Sequence, residues 1–393
     1  MLHYASLGTV TDDAVARVMG KPPATHMWDK DLGGMQIALF DVVGKANGVP
    51  VSALLGNKVR DWVPISWWSL DAPPEDWAAE AAEAVANGYT TMKLKPRPWF
   101  DIVEQVEAIA DAVPSSFKLD LDPNATWQNA ANAVPLISKL KACRGWGNVA
   151  VFESPIPQTD IAGNQQIKQI VERPIAMHFG SPPHSVNVRT PVTDMYVIGG
   201  SAAVCIEQSA QANEAEIPHW LQIVGPGLTT VWAAHLGSVL PACKWPAITC
   251  YNIYDHSLLT APIAVVGGFH EVPTTPGLGV EVCLEAVERY RVPQSVLDAL
   301  KDAPTGSVAG VAGVRPVPRI INTIVYPDGA AVHMSGSSQG YGYFSQAHAT
   351  AYIEGVTLRP WRDDGSEEWN TLWERVQVGA MPPLVCLTAC LSS

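Results

Sequence analysis

Short apolar segments alternate with longer amphipathic segments along the middle of the chain. The apolar segments are Val63–Ser66, Thr91–Lys95, Phe117–Asp122, Val149–Glu153, Pro174–Phe179, Asp194–Ile198, Trp220–Val224 and Ala247–Tyr251, and they have the length of buried strands. The amphipathic segments predict helices at Pro74–Ala86, Asp101–Ala112, Thr126–Lys141, Gly163–Val171, Ser201–Ala215 and Leu228–Leu240. Strands that alternate with helices in this way predict a parallel α/β barrel. The alternative is an open doubly wound sheet, but no glycine-rich phosphate loop follows an early strand.

The chain on either side of these segments has a different pattern. Gly33–Leu55 predicts a helix followed by a short second helical turn. Beyond the eighth strand, Ile320–Tyr326, Ala330–Met334 and Ala351–Leu358 are predicted to be strands, and Trp369–Val376 a helix. The barrel is therefore expected in the middle of the chain, with an α+β region after it.

The composition excludes some classes of protein. Hydrophobic residues make up 47% and charged residues 16% of the 393 residues, which excludes a disordered chain. The formal net charge of −13 argues against a nucleic acid or an anionic membrane as a partner. A small anionic substrate is compatible with this charge only where a cation or a metal reverses the field inside a pocket.

Cysteine usage and hydropathy bear on the compartment. The seven cysteines are scattered and include no CxxC pair, so we expect them to be thiols in a reducing environment. No run of about 18 apolar residues occurs, and the N-terminus has no basic-then-apolar signal. We therefore expect a soluble, cytoplasmic protein.

Polar residues stand at the ends of successive predicted strands. In a parallel α/β barrel the carboxyl ends of the strands meet at one mouth, where such barrels carry out catalysis. The second strand ends in Lys93 and Lys95, which share one face. The next three strands end near Asp122, Glu153 and His178, at steps of 27, 31 and 25 residues. Carboxylate oxygens suit a hard divalent cation such as Mg²⁺. A lysine beside another cation loses its proton more readily, which makes a neutral amine base available.

Six short motifs follow one another through this part of the chain. They are Ala38–Lys45 with Gly48–Val51 and Leu54–Gly56, then Lys93–Lys95, Asp122–Asn124, Phe152–Pro155, Asp194–Gly200 and Pro276–Val280. In this order they resemble the motifs of the mandelate racemase/muconate lactonizing enzyme group of the enolase superfamily, over roughly residues 33–290. The resemblance implies an α/β fold built on a modified TIM barrel of the (β/α)7β type.

The resemblance also implies a shared half-reaction. A Mg²⁺ ion binds the carboxylate of a small-molecule substrate, a base removes the α-proton, and the metal with nearby cations stabilises the enediolate. By motif, Lys95 would be the base, while Lys93 would lower the pKa of Lys95 and help to hold the substrate carboxylate. Asp122 and Glu153 would be metal ligands, and Asn124 a supporting polar group at the substrate.

Two positions at the predicted mouth depart from the family pattern. The third metal ligand is usually an acid at the end of strand five, where this chain has His178, and an imidazole ligand favours Mn²⁺ or another transition metal over Mg²⁺. Family racemases place a His on strand seven and an orienting Asp on strand six. Asp194 fits the Asp, but Gln222 stands near the position of the His. Because an amide exchanges protons poorly, a two-base racemase is disfavoured, and we predict Asp194 and Gln222 as substrate-binding residues.

The region before the barrel also departs from the family. Family members cover the mouth with a sheet-containing N-terminal cap, and too few residues precede the helix here for such a sheet. We therefore predict a truncated N-terminal capping segment at 1–61, a catalytic barrel at 62–265, and a return segment with an α+β extension at 266–393. The extension could complete the cap, and an unrelated appended subdomain is the alternative.

These inferences give one leading function and two alternatives. We expect a metal-dependent lyase that removes the proton α to a carboxylate, most plausibly a dehydratase of hydroxy acids or acid sugars. The first alternative is a racemase or epimerase whose second proton comes from another group, such as His219 or Tyr251. The second is a catalytically degenerate barrel that binds a metal or a small acid. Barrels of this type often form homo-oligomers, and we expect one here.

Overall fold

Seven parallel strands form a curled sheet where the sequence predicts buried apolar segments. The structure is a computed structural model and describes residues 12–291, 293, 320–335 and 355–376. The sheet contains, in spatial order, β2 (Trp67–Trp68), β3 (Thr91–Leu94), β4 (Lys118–Leu121), β5 (Val149–Glu153), β6 (Ile175–His178), β7 (Met195–Ile198) and β8 (His219–Leu221). Each strand pairs in parallel with the next, as the predicted alternation of strands and helices requires.

The sheet closes into a barrel through the predicted eighth strand. Ala247 and Ile248 bridge in parallel to Ile65 on one side and to Gln222 on the other. The backbone N–H of Ala247 donates to the carbonyl of Pro64 at 2.8 Å, and that of Ile248 donates to Leu221 at the same distance. The predicted eighth strand therefore consists of two isolated β-bridges, which join the two edges of the sheet.

The predicted first strand serves two sheets. Its first part, β1 (Trp62–Pro64), pairs antiparallel with β9 (Phe269–Glu271), which belongs to the return segment. Only the residues after Pro64 reach the barrel, where β2 pairs with β3. The sequence pattern placed the strand but could not show that the return segment would pair with its beginning.

A helix follows each of the seven sheet strands. These helices are α4 (Pro74–Ala86), α5 (Ile102–Ala112), α6 (Ala130–Ala142), α7 (Ile161–Ile170), α8 (His184–Arg189), α9 (Ala202–Glu214) and α10 (Gly227–Val239). Six of them agree with the sequence prediction to within a few residues. The six-residue α8 was not predicted, because one and a half turns are too short for a helical period to be recognised.

Side chains alternate between the inside and the outside of the barrel. The interior apolar group consists of Trp68, Val151, Ala176, Met195, Val197, Trp220, Ile248 and Cys250. Their neighbours along the strands, such as Leu94, Phe152 and Ile198, belong to the apolar layers between the sheet and the helices. The strand residues in phase with the interior group therefore point into the barrel, and the polar residues among them form the site described below.

The N-terminal region packs on the return segment. Its helices are α1 (Asp12–Val18), α2 (Met35–Asn47) and α3 (Val51–Leu55). Gly44 of α2 lies so close to Gly277 that a Cβ atom on Gly44 would approach the Gly277 Cα to 2.9 Å. The Asp41 carboxylate accepts a hydrogen bond from the Leu278 N–H at 2.8 Å. Two of the motifs quoted above, distant in sequence, are thus in direct contact.

The C-terminal extension contains a small sheet that packs beside the barrel mouth. Its elements are α11 (Leu284–Arg289), β10 (Ile320–Val325), β11 (Ala331–Ser335), β12 (Thr357–Arg362) and α12 (Glu367–Val376), and the antiparallel strand order is β11-β10-β12. Ile324 and Val356 pack against Trp99, in the loop that follows β3. The start of the predicted strand 351–358 and the end of the chain lie outside the described residues.

Two further findings bear on the sequence predictions. Cys143, Cys205, Cys243, Cys250 and Cys283 are free thiols, which confirms the prediction for these five; the last two cysteines lie outside the described residues. Within the described ranges, no helix has the length and apolar character needed to cross a membrane.

His235 provides a test of how the N-terminal region is attached to the barrel. It is fully buried on α10, accepts a hydrogen bond from the Ser52 N–H at 3.2 Å and donates one to the Leu278 carbonyl at 3.1 Å. Burial lowers the pKa of His235 from 6.5 to about 4. The unfolded chain therefore binds more protons between these pH values, so the stability due to His235 is lost as the pH falls from 6.5 to about 4.

We expect His235→Gln to lower the free energy of unfolding by about 2 kcal/mol at pH 7. When the pH is lowered, the wild type should lose up to about 3 kcal/mol more of its free energy of unfolding than the variant does. Urea unfolding of both proteins across this range measures the difference. If the free energy of unfolding falls equally with pH in the two proteins, the pH dependence does not come from His235.

Candidate active site

The interior polar residues lie at the carboxyl ends of four strands. Lys93 on β3, Asp122 just after β4 and Glu153 at the end of β5 are each fully buried, and Lys95 is only 4% exposed. Their side chains point inward because they are in phase with the apolar residues of the barrel interior. Gln222, which follows β8, reaches the same group. The structure therefore brings together five of the residues that the sequence predicted.

Lys93 is the centre of this group. Its Nζ donates to a Glu153 carboxylate oxygen and to Gln222 Oε1 at 2.8 Å. It also lies 3.3 Å from Asp122 Oδ2 and 3.9 Å from Asp120 Oδ2. The Trp220 ring centroid is 5.7 Å from the ammonium. One buried cation thus contacts side chains from three other strands.

The two lysines of the motif differ in their electrostatics. Burial by itself would lower the pKa of Lys93, but the carboxylates of Glu153, Asp122 and Asp120 raise it, so Lys93 stays charged. Burial and the nearby Lys93 charge lower the pKa of Lys95, against the opposing attraction of Asp122. Lys95 therefore gives up its proton more readily than an ordinary lysine, as the sequence predicted from the pairing.

The carboxylates divide in the same way. Burial would raise the pKa of Asp122, but Lys95 and Lys93 lower it below its usual range. Asp120 is raised well above its usual range by burial and by the neighbouring carboxylates of Glu153 and Asp122. Asp122 is therefore held as an anion, while Asp120 takes up a proton more readily than an ordinary aspartate.

Asn124 holds Asp122 in position. Its backbone N–H donates to Asp122 Oδ1 at 3.0 Å, and its Nδ2 donates to Asp122 Oδ2 at 3.2 Å. Lys95 donates to the same Oδ2. Asn124 and Ala125 have φ angles of 51° and 64°, in the left-handed region that non-glycine residues seldom adopt. Strained backbone of this kind concentrates at functional sites.

Arg97 was missed in the sequence and braces this strained turn. It is 3% exposed. Its Nη2 donates to Asn124 Oδ1 at 2.8 Å, and its Nη1 donates to the Pro123 carbonyl at 3.3 Å and more weakly to that of Asp122. The only indication in the sequence was its position two residues beyond Lys95, which places its side chain on the same face as those of Lys93 and Lys95.

A second buried acid stands behind Arg97. Asp71 is 4% exposed and accepts a hydrogen bond from Trp99 Nε1 at 3.0 Å. Burial raises the pKa of Asp71 to about 6, and Arg97 partly opposes the shift. Hydrogen bonds therefore join Trp99 to Asp71 and Arg97 to Asn124, and electrostatic attraction acts between Asp71 and Arg97. Asn124 in turn donates to the Asp122 carboxylate.

Three other candidates lie away from the site. Asp194 comes before β7, at the amino end of the barrel, where it is paired with Lys168 and accepts from the Ile175 N–H at 3.0 Å. Its prediction as a substrate-binding residue is wrong, because the residue that opens a parallel strand lies at the end opposite the mouth. His219 opens β8 in the same way and shares a hydrogen bond with Ser209 at 2.8 Å. The Tyr251 hydroxyl accepts from the Ile263 N–H at 3.2 Å, in the segment that follows the predicted eighth strand.

Comparison with known proteins identifies the family. A family model described as Enolase C-terminal domain-like matches residues 76–178 and 191–287, just over half of the chain. The chain belongs to the enolase superfamily. Its relatives place it in the mandelate racemase/muconate lactonizing enzyme group, so the resemblance seen in the motifs is confirmed.

Its relatives within the superfamily differ in reaction. An N-succinyl-L-Arg/Lys racemase from Bacillus cereus is 29% identical over 147 residues, which are 37% of this chain and 39% of the racemase. A D-gluconate dehydratase from Thermoproteus tenax is 27% identical over 297 residues, which are 67% of this chain and 56% of the dehydratase. The chain thus spans less than two thirds of either relative. The relatives of this enolase-superfamily chain are enzymes, and they differ in the reaction that they catalyse.

Solved structures share the fold. An enolase from Thermobispora bispora, solved with magnesium and formate, has a TM-score of 0.56 at 24% identity. The match covers 65% of this chain and 66% of that one. The modified TIM barrel predicted from the sequence is therefore confirmed.

The donor atoms at the mouth suit a divalent cation. Glu153 Oε1 is buried and makes no hydrogen bond, and His178 Nε2 lies 3.3 Å from it. Asp122 presents its carboxylate on the next strand. Two carboxylates, one with an unpaired buried oxygen, and an imidazole are ligands for Mg²⁺ or Mn²⁺. Among the described residues, no three His, Cys, Asp or Glu side chains form a cluster that could hold a metal. The ammonium groups of Lys93 and Lys95 contact Glu153 Oε2 and Asp122 Oδ2.

We expect Arg97→Met to weaken Mn²⁺ binding about tenfold or more, because residues that orient metal ligands typically contribute this much. The variant releases the Asn124 amide that holds Asp122. Arg97→Lys should recover part of the affinity, since an ammonium can still donate to Asn124. Titration of the protein with Mn²⁺, followed by electron paramagnetic resonance, measures the dissociation constant.

Arg60→Met is the matched control for this experiment. Arg60 also donates to backbone carbonyls, those of Leu240 at 2.8 Å and Pro241 at 3.0 Å, but at a different place in the fold. It should destabilise the protein and leave Mn²⁺ affinity unchanged. Equal losses of affinity in the two variants would show that Arg97 acts only through stability.

Proposed function

We propose that the protein is a metal-dependent lyase that removes the proton α to a carboxylate and dehydrates a hydroxy acid or acid sugar. The observation that carries the proposal is the pair of buried lysines at the mouth. Lys95 has a lowered pKa and is suited to accept a proton, whereas Lys93 is held charged and is suited to face an anion. A base beside a fixed positive charge is what the removal of a proton next to a carboxylate demands.

We assign Asp122, Glu153 and His178 as the residues that would hold the divalent cation, Mg²⁺ or Mn²⁺. When bound, this cation would withdraw electron density from the substrate carboxylate and so acidify the adjacent carbon. The formal charges of the group support this assignment. Lys93 and Lys95 carry two formal positive charges, and Asp120, Asp122 and Glu153 carry three formal negative ones, which leaves one negative charge. A divalent cation would make the mouth positive, which suits an anionic substrate in a chain of net charge −13.

In the proposed reaction, Lys95 Nζ takes the α-proton of a 2,3-dihydroxy acid. The electron pair of the broken C–H bond forms the C2–C3 double bond, and the C3–O bond breaks. The leaving hydroxide takes a proton from the Lys95 ammonium and departs as water. The resulting enol tautomerises to a 3-deoxy-2-keto acid. Lys93, Asn124 and Gln222 bind and orient the substrate, and none of them exchanges a proton.

Gln222 favours dehydration over racemisation. Racemisation of a carbon acid needs a proton donor on the face opposite the base. Gln222 stands near the position where family racemases have a histidine, and its Oε1 accepts a hydrogen bond from Lys93. The similarity to the Bacillus cereus racemase keeps racemisation as the second candidate, and the experiment below separates the two.

The test is incorporation of deuterium from D2O into a library of acid sugars and N-acyl amino acids, with Mg²⁺ or Mn²⁺ added. We expect loss of water from at least one acid sugar, with exchange of solvent deuterium into C3 of the 3-deoxy-2-keto acid when the enol tautomerises. Lys95→Ala should reduce exchange by a factor of about 100 to 10,000, the usual contribution of a general base.

Lys30→Ala is the control for this experiment. Lys30 is an exposed lysine paired with Glu207, and surface pairs of this kind contribute little to stability. Full exchange in Lys95→Ala would refute the assignment of the base. Exchange with inversion and no loss of water would establish the racemase, and metal binding without exchange in the wild type would favour a degenerate barrel.

We also propose that the extension within 266–393 acts as a cap, together with segment 1–61, over the mouth of the 62–265 barrel. The contact that supports this proposal lies at the mouth. Trp99, two residues beyond Arg97, is 5% exposed and packs on Ile324 of β10 and on Val356 before β12. The small sheet is therefore held against a loop that carries part of the site.

Two isoleucines on β10 form a matched pair for testing the cap. Both are fully buried, but Ile324 packs on Trp99, whereas Ile321 packs on Trp369 of α12. Each change to alanine should cost about 2 to 5 kcal/mol. We expect Ile324→Ala to raise the KM of the acid substrate about threefold or more, whereas Ile321→Ala should leave KM within about twofold. Steady-state kinetics, run well below the unfolding temperatures of both variants, measures the KM values. Equal KM values for the two variants would contradict the capping role.

A further inference from the structure

The ring of helices around the barrel has a gap after the eighth strand. Each of the seven sheet strands is followed by a helix. The described chain from Tyr251 to Val266 instead contains only a single 3-10 turn, Tyr251–Ile253, and it runs over the outside of the barrel to Gly88, behind α4. There the Val265 carbonyl approaches so closely that a Cβ atom on Gly88 would lie 2.2 Å from it. We call the segment 251–266 the strap.

A cavity of about 420 Å³ lies between the strap and α4, in the range of ligand pockets. An irregular segment fills less volume than a packed helix, which accounts for the space. The cavity is separate from the mouth, because its lining contains none of the residues that contact Lys93 or Asp122. It therefore belongs to no part of the site proposed above.

The walls of the cavity combine aromatic rings with negative charge. They include Trp67, Tyr89, Tyr251 and Tyr254, together with the carboxylates of Glu83 and Asp255. Of the described residues that line the cavity, none is Lys or Arg. Aromatic faces and carboxylates attract organic cations, so the lining selects for positive charge.

Helix α4 strengthens the negative field. It carries Glu75, Asp76, Glu80 and Glu83 and no basic residue. Glu80 lies behind the cavity wall, where it accepts a hydrogen bond from Trp67 Nε1 at 3.0 Å. Burial raises the pKa of Glu80, and repulsion from Glu83 and Asp76 adds to the shift. A cation in the cavity would relieve this repulsion.

Tyr89 adds a specific polar group to the cavity. It is 5% exposed, packs edge-to-face on Trp67 at 5.2 Å and lines the cavity, yet its hydroxyl makes no hydrogen bond to any described residue. Burial raises the pKa of Tyr89, so the hydroxyl keeps its proton and can donate it. Because Tyr89 lines the cavity, a ligand oxygen there can accept a hydrogen bond from its hydroxyl.

We propose that this cavity binds a hydroxyl-bearing organic ammonium ion, that is, an amino alcohol or a ligand that ends in one. The ammonium lies among the aromatic rings and the carboxylates of Glu83 and Asp255, and the ligand oxygen accepts from the Tyr89 hydroxyl. The charge preference is opposite to that of the mouth. Binding here does not depend on the reaction proposed above.

Choline is the probe, and 3,3-dimethylbutan-1-ol, in which carbon replaces the ammonium nitrogen, is its uncharged counterpart. Calorimetric titration of the full chain should show saturable binding of choline, about threefold or more tighter than that of the alcohol. Glu83→Gln should weaken choline binding about threefold or more, whereas Glu75→Gln, the same change on the same helix but outside the cavity, should not. Lys95→Ala should leave it unchanged.

Tyr89→Phe tests the hydroxyl alone. It should weaken the binding of choline about threefold or more and leave that of tetramethylammonium, which has no oxygen, unchanged. The proposal is overturned if choline does not bind, if the uncharged alcohol binds equally well, or if Glu75→Gln weakens binding as much as Glu83→Gln. Equal effects of Tyr89→Phe on both cations would overturn the role of the hydroxyl.

Discussion

One buried ammonium group determines how the centre of this barrel is built. Lys93 contacts Glu153, Asp122 and Gln222 at once, and so ties β3 to the ends of β4, β5 and β8. Removing charges from water costs several kcal/mol per ion, and a well-packed apolar core of the same shape would often be as stable or more so. Stability alone therefore gives no reason for these charges, and a role in chemistry does.

The geometry of the mouth could be predicted because two periodicities coincide. Side chains two apart along a strand share a face, and parallel strands bring all their carboxyl ends to one rim. Lys93, Lys95, Asp122 and Glu153 satisfy both conditions, so their spacing was enough to bring them together. The same rules exclude Asp194 from the rim, because it comes before its strand rather than after it.

Contacts that depend on tertiary packing could not be predicted in this way. Arg97 donates a hydrogen bond to Asn124, 27 residues away. Asn124 lies in a left-handed turn that contains no glycine, so the turn could not be recognised from the sequence. Helix α8 is too short to show a period. The pairing of β1 with β9 becomes visible only once the return segment is placed.

The C-terminal extension and the mouth share Trp99. One side of this residue packs on Ile324 and Val356, and its indole N–H holds the buried Asp71, which stands behind Arg97. A shift of the small sheet would therefore move Trp99 and the Asp71 carboxylate that it holds, because packed interiors transmit displacement rather than absorb it. Family members place substrate selection in a cap made from the N-terminal region. In the cap proposed above, the capping element is the small sheet of the extension, which packs on Trp99. Under that proposal, substrate selection and the charge environment of Arg97, which holds Asn124, are coupled through Trp99 and Asp71.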